Sequence, residues 1–310
     1  MYLENTNSEI KGHLSAIFTI LIWGTTFIST KFLLVKFSPI EILFFRFILG
    51  LIALFIAKPK IMKLKSIDDF KYFFIAGITG VTLYFLFENI ALTYTDASNI
   101  GIIVSVSPFF TAILSQFFLP KEKLKIQFFI GFVFAITGIT ILSLGSRSLS
   151  INPIGDILGI FAAITWAIYS IAMKKIGSLK YNTIQTTRFT FLIGIIFMIP
   201  FLFFMDFEFK IIRFKDIFYL GNILYLGIGA SALCFATWNW SVKILGAIRT
   251  SVYVYLIPVI TLFFSVLVLN EELNSSKVLG TIFILIGLII SENKIILKLK
   301  QKNIEKRRRS

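Results

Sequence analysis

Ten stretches of this chain are apolar on all sides. They fall at Leu14–Val35, Ile40–Ala57, Phe70–Leu92, Ser98–Leu119, Ile126–Leu144, Ile154–Met173, Ile184–Met205, Ile217–Ser241, Ala247–Leu269 and Val278–Leu297. Their apolar residues run on without the three-to-four spacing of an amphipathic helix or the alternation of a half-buried strand. About 20 such residues, rising 1.5 Å each, cross the hydrocarbon of a bilayer. Each run therefore predicts a transmembrane helix. The gaps between them are short and polar, with no room for a soluble domain, and segment 298–310 is a basic tail ending KRRRS. The predicted fold class is an all-α integral membrane protein with ten transmembrane helices.

Composition agrees, with 57% hydrophobic and 15% charged residues against roughly 45–50% and 25% in soluble domains. A net charge of +15 fits a nucleic-acid binder in principle, but the distribution of charge speaks for topology. Of the 31 lysines and arginines, 22 lie in the gaps and tail on the side of the N-terminus and 7 on the opposite side. This bias predicts an inner (plasma) membrane protein with both termini cytoplasmic and no nucleic-acid partner. No cleavage site follows a leading apolar run, so no removable signal peptide is expected. One Cys and one His exclude a disulfide framework and a zinc, haem or iron–sulfur centre within the chain; no cofactor is expected.

The two halves repeat. GHLSAIFTILIWG from Gly12 parallels GDILGIFAAITWA from Gly155, which pairs Trp23 with Trp166. Arg46-Phe47 matches Arg188-Phe189. An offset of about 150 then pairs Asn89 with Asn239, Ala97 with Ala247, Pro108 with Pro258, and Glu122 with Glu272. Gly131 and Gly138 recur as Gly280 and Gly287 at the same spacing. Five helices per copy is an odd number, so the second copy must enter the membrane upside down. Inverted repeats of this kind belong to secondary transporters, where exchange of the two repeats' conformations alternates access.

The segment from Glu88 to Leu124, with Ala91-Leu92, Tyr94-Thr95, Ala97-Ser98, Pro108 and Glu122, followed by Gly131 and Gly138, resembles the second half of an EamA domain of the drug/metabolite transporter superfamily. The second copy keeps Ala247, Pro258, Glu272, Gly280 and Gly287 but reads KILGA where the first reads YTDAS. The resemblance runs from about Gly12 to Leu297. It implies repeats at 10–145 and 152–297, ten helices, both termini on one side, and export or exchange of amino acids and related small metabolites.

Candidate site residues follow from the cost of polarity in lipid. Glu88 lies in FLFENIAL; a charge there costs about 2.5–3.5 kcal/mol and ordinarily faces a cavity or a partner. That position suits proton coupling or cation binding, or a structural bond to another helix. Its counterpart is Trp238, so the site is asymmetric. Asn89 and Asn239 are a matched polar pair, either in the site or bonding helices together. Pro108 and Pro258 each remove a backbone donor, which lipid tolerates only beside protein or water. They mark cavity walls or packing kinks, with Ser105, Ser107, Tyr253 and Tyr255 nearby. Trp23 and Trp166 sit deep in their helices, lining a cavity or filling the core. Arg46 and Arg188 lie one to two turns inside opposite faces and can snorkel; a structural or gating role is favoured. Glu122 and Glu272 read as loop or capping residues.

The expected partners are the bilayer, a small-molecule substrate and protons. A phosphate-binding GxxxxGK[ST] loop is absent from the sequence, which argues against ATP-driven transport by this chain alone. An uncoupled facilitator or channel is the main alternative. A membrane-embedded enzyme is remote, lacking clustered nucleophiles. Reporters fused after Lys125 and after Asn274 should lie on opposite sides, the first cytoplasmic and the second external; finding both on one side contradicts the inversion.

Overall fold

The computed structural model describes residues 2–95, 97–120, 124–144, 152–205, 207–269 and 274–291. Glu122, Glu272 and the tail lie outside them. The described residues are helical, without strands. Eight helices are long and apolar enough to cross a membrane: α1 (Asn7–Leu33), α2 (Pro39–Ala57), α3 (Ile67–Tyr94), α4 (Asn99–Phe118), α6 (Pro153–Ser178), α7 (Thr183–Phe204), α8 (Ile217–Leu245) and α9 (Ala247–Phe264). Two further apolar helices, α5 (Ile126–Leu144) and α10 (Ser275–Ser291), complete ten. Several extend beyond the apolar runs, since a helix continues past the hydrocarbon wherever its caps allow. Ser38 and Glu41 form a reciprocal capping box at α2, and Asn182 caps α7.

Four helices are irregular. Wide turns interrupt α3 at Ile78–Leu83 and α8 at Tyr225–Leu233. A break at Ser105–Val106 divides α4 before Pro108, and a tight turn at Val252–Leu256 precedes Pro258 in α9. Gly246, with φ of 98°, reverses the chain between α8 and α9, a conformation that favours glycine.

Neighbours approach closely at glycine. In the bilayer, helices associate through packing and hydrogen bonds rather than hydrophobic drive, so small residues mark the contacts. A Cβ on Gly227 of α8 would meet Leu49 and the Arg46 carbonyl of α2, and one on Gly77 of α3 would meet Ile193 and Gly194 of α7. Helices α5 and α10 pack mainly on each other, outside the bundle. There Gly131 faces Gly287 while Gly138 faces Gly280; as one index rises the other falls, so the two helices run antiparallel.

A Cβ on Gly287 would stand 2.6 Å from the Ala135 nitrogen and the Gly131 carbonyl oxygen, backbone atoms that cannot swing aside. Gly287→Ala should destabilise the protein by about 1–3 kcal/mol, the usual cost of overpacking. Adding Gly131→Ala should cost less than the sum, since both act on one contact. Thermal melting of the purified variants checks both.

Candidate functional site

A small cavity lies among α1, α2, α3, α4, α6 and α9. Trp23, Thr26 and Phe27 reach it from α1, Arg46 from α2, and Tyr84, Phe85 and Glu88 from α3. Val104, Trp166, Val254 and Ile257 complete the wall. All of these side chains are buried. The volume, about 20 Å³, holds roughly one water molecule.

The wall carries one acidic and one basic side chain. Glu88 Oε1 and Arg46 Nη1 are both buried without a hydrogen-bond partner. Orphaned charged atoms are rare because desolvation penalises them heavily. Each has partial support. Tyr84, one turn before Glu88, extends its hydroxyl toward the carboxyl. Arg46 Nε donates to Ser231 Oγ at 3.0 Å, and its guanidinium lies 4.1 Å from the centre of the Phe85 ring, a favourable cation–π placement.

Aromatic rings form the rest of the lining. Trp23 meets Trp166 edge to face at 5.1 Å, and Tyr84 lies 4.9 Å from Trp166. Trp238, at 5.1 Å from Trp23, packs behind this layer with Phe235. So α8 contributes no lining side chain. It positions two residues that do line the cavity: the Ala230 carbonyl in its wide turn accepts from Trp23 Nε1 at 2.9 Å, and Ser231 holds Arg46. Wide turns of this kind recur at functional sites.

The prolines act through their neighbours. Pro108 and Pro258 are buried, and neither lines the cavity. Each lacks the N–H that would bond the carbonyl four residues earlier; those residues are Val104 and Val254, both in the wall. Ser105 Oγ donates to the Ile102 carbonyl at 2.5 Å, whereas Ser107 Oγ is buried and unpartnered.

Other sequence candidates stand apart from the cavity. Asn239 accepts from the Tyr169 hydroxyl at 2.7 Å and donates to Thr187 at 3.0 Å, joining α6, α7 and α8. Asn89 donates to the Pro39 carbonyl at 3.1 Å. Tyr253 bonds His13 Nδ1 at 2.6 Å, tying α9 to α1. Tyr255 packs among Ala112, Phe128 and Ile284. Arg188 donates to the carbonyls of Lys58 and Lys60 at 2.5 and 2.7 Å, fastening the α2–α3 loop. The matched arginines thus differ, since Arg46 turns inward and Arg188 holds a loop. Thr26, Phe27, Phe85, Val104, Val254 and Ile257 carry no distinctive sequence signal; only their place relative to Trp23, Glu88 and the prolines marks them.

Polar contacts tie the loops together at each end of the bundle. At one, Arg213 makes a bidentate ion pair with Glu41, at 2.6 and 2.9 Å, and donates to the Lys36 carbonyl at 2.8 Å. Glu41 also accepts from the backbone of Ser38 and Glu208. The clamp joins the α1–α2 and α7–α8 loops. At the other end, the Tyr181 hydroxyl accepts from the Lys65 amide and donates to Asp69, each at 2.6 Å. Burial and that carboxylate raise the Tyr181 phenol above its ordinary pKa.

Residues 10–144 and 153–292 match the EamA-like transporter family. An uncharacterized transporter of Archaeoglobus fulgidus is 29% identical over 92% of this chain and 98% of its own length. A second from that organism is 30% identical over 88% and 95%. The uncharacterized transporter YvbV of Bacillus subtilis is 24% identical over 89% and 90%. A solved crystal structure superposes with a TM-score of 0.71, covering 95% of this chain and 99% of its own, at 18% identity; that likeness is one of fold. Long apolar helices and a family match spanning nearly the whole chain lead to one assignment: this multi-pass membrane protein belongs to the EamA-like transporter family.

Proposed function

We propose that the chain is a secondary transporter. It exports or exchanges a small metabolite, an amino acid or related compound, by alternating access between two inverted five-helix repeats at 10–145 and 152–297. It sits in the plasma membrane with both termini cytoplasmic. The observation that carries this reading is the Arg46–Glu88 cavity, walled by buried side chains and too small for a metabolite in this conformation. A carrier must pass through such an occluded state, whereas a permanently open channel has no use for one.

Contacts support the inversion. Exchanging the halves turns the Gly131–Gly287 contact into Gly280–Gly138, which is also present. A contact that maps onto itself is the mark of a two-fold axis. Likewise α2 lies against the wide turn of α8 as α7 lies against that of α3, and Val104 and Val254 meet in one wall.

Glu88 is the coupling residue in this reading and Arg46 its counter-charge, free to take an anionic group of the substrate. In proteoliposomes, Glu88→Gln should abolish accumulation driven by a pH gradient, because an amide cannot exchange a proton. Substrate exchange should survive. Unchanged pH-driven uptake by a well-folded variant would favour an uncoupled facilitator. The fixed counter-charge of Arg46 supports that second reading, since a compensated carboxylate need not move a proton.

The Glu41–Arg213 clamp is the external gate. Removing one partner of this part-buried pair leaves the other unmatched, which shifts the population toward an open outer mouth. A cysteine in the cavity wall, Thr26→Cys in a Cys234→Ser background, reports it. Adding Glu41→Gln should speed its alkylation by a membrane-impermeant maleimide by roughly tenfold or more; equal rates would remove the gate assignment.

A further inference from the structure

A recess of about 490 Å³ opens between α2 and α7 on the outside of the bundle, far from the Arg46–Glu88 cavity in its lining. Its size falls in the range of ligand pockets, roughly 300–1,000 Å³. Ile52, Phe55 and Ile56 of α2 and Phe189 and Leu192 of α7 make its walls, and most of them are exposed. In a membrane these walls face lipid chains. No acidic residue lines the recess.

Its polar end is built. Arg188 is buried, with its guanidinium 5.1 Å from the centre of the Phe55 ring and both terminal nitrogens bonded to the carbonyls of Lys58 and Lys60. Gln185 donates to the same Lys60 carbonyl at 2.7 Å. These bonds, with Pro59 between the two lysines, fix the loop whose Ile61 and Met62 line the recess and whose Lys58, Lys60 and Lys63, beside them in sequence, are exposed. Arg188 and Gln185 are positioning residues; the lysine ammonium groups remain for a ligand. An apolar slot beneath a fixed basic rim matches one amphiphile, with an acyl chain below and a phosphate above. Basic pockets between transmembrane helices recognise lipid headgroups in this way.

We propose that this recess is a binding site for an anionic phospholipid of the leaflet on the basic side of the protein. The proposal needs only the membrane setting and stands whether or not the transport reading does.

The test uses the purified full-length chain in detergent, titrated with phosphatidylglycerol or with phosphatidylcholine of the same acyl chains, with bound lipid counted by native mass spectrometry. Phosphatidylglycerol should bind at least about tenfold more tightly, since each lysine near anionic lipid contributes roughly fivefold. Lys58→Gln, Lys60→Gln and Lys63→Gln together should erase the preference, while Lys210→Gln with Lys215→Gln, at the other end, should leave it intact. Leu192→Trp, which fills the slot, should weaken binding of both lipids. Equal binding of the two lipids, or a triple variant that keeps the preference, would overturn the proposal. So would displacement of phosphatidylglycerol by glycerol phosphate at equal concentration, which would mean that the rim takes a free phosphate.

Discussion

A charge inside a bilayer has no water to turn to, and here two opposite charges share one small cavity without satisfying each other fully. Glu88 Oε1 and Arg46 Nη1 both lack a bonded partner. Each intramembrane charge costs a few kcal/mol to place, about 2.5–3.5 on insertion scales, so the surrounding helices must hold them where that cost is useful. Ser231 and the Phe85 ring fix the guanidinium, Tyr84 approaches the carboxyl, and Ala230 fixes the tryptophan that walls them in. All four of these supports stand on helix turns next to or within an irregular segment. The polarity of the site and the irregularity of the bundle are therefore one feature: a regular helix keeps its carbonyls for itself, while a widened one offers them to neighbours.

In the transport reading the same irregularities are the places where the bundle moves. Gly77, Gly194 and Gly227 leave room for Ile193, Val81 and Leu49 of the facing helices and so bring the backbones close, and the breaks beside Pro108 and Pro258 divide α4 and α9 at the cavity wall. The contacts at the two ends differ in kind. One is an ion pair on a carboxylate that accepts four hydrogen bonds; the other is a buried phenol bonded to the Lys65 amide and the Asp69 carboxylate.

Much of this was legible from the residues. Runs of apolar residues marked all ten helices, because lipid admits little else. Trp23, Trp166 and Glu88 were visible as polar or bulky residues where lipid disfavours them, and they meet at the cavity. Arg46 was harder. Its depth permits snorkelling, and only the Ser231 bond shows that it turns inward, while its counterpart Arg188 turns to a loop. The prolines were conspicuous, yet their neighbours Val104 and Val254 form the wall; a missing hydrogen bond shows in sequence, but the side chain it exposes does not. Trp238 and Tyr255 were chosen for chemistry and placed by packing, since a buried aromatic in core and in a binding site look alike along a chain. The clamp between Glu41 and Arg213 depends on two loops 172 positions apart in sequence, and no local pattern announces it.

Alternating access around the Arg46–Glu88 cavity is the central claim, and paired spin labels address it directly. In a Cys234→Ser background, one pair at Lys36 and Lys215 reports the clamped mouth and another at Lys11 and Lys180 reports the opposite mouth. Distances measured by pulsed electron–electron resonance, across pH and with transported substrate, should move in opposition, one pair lengthening only while the other stays short. Two mouths that lengthen together, or distances that never change under any condition, would contradict the account.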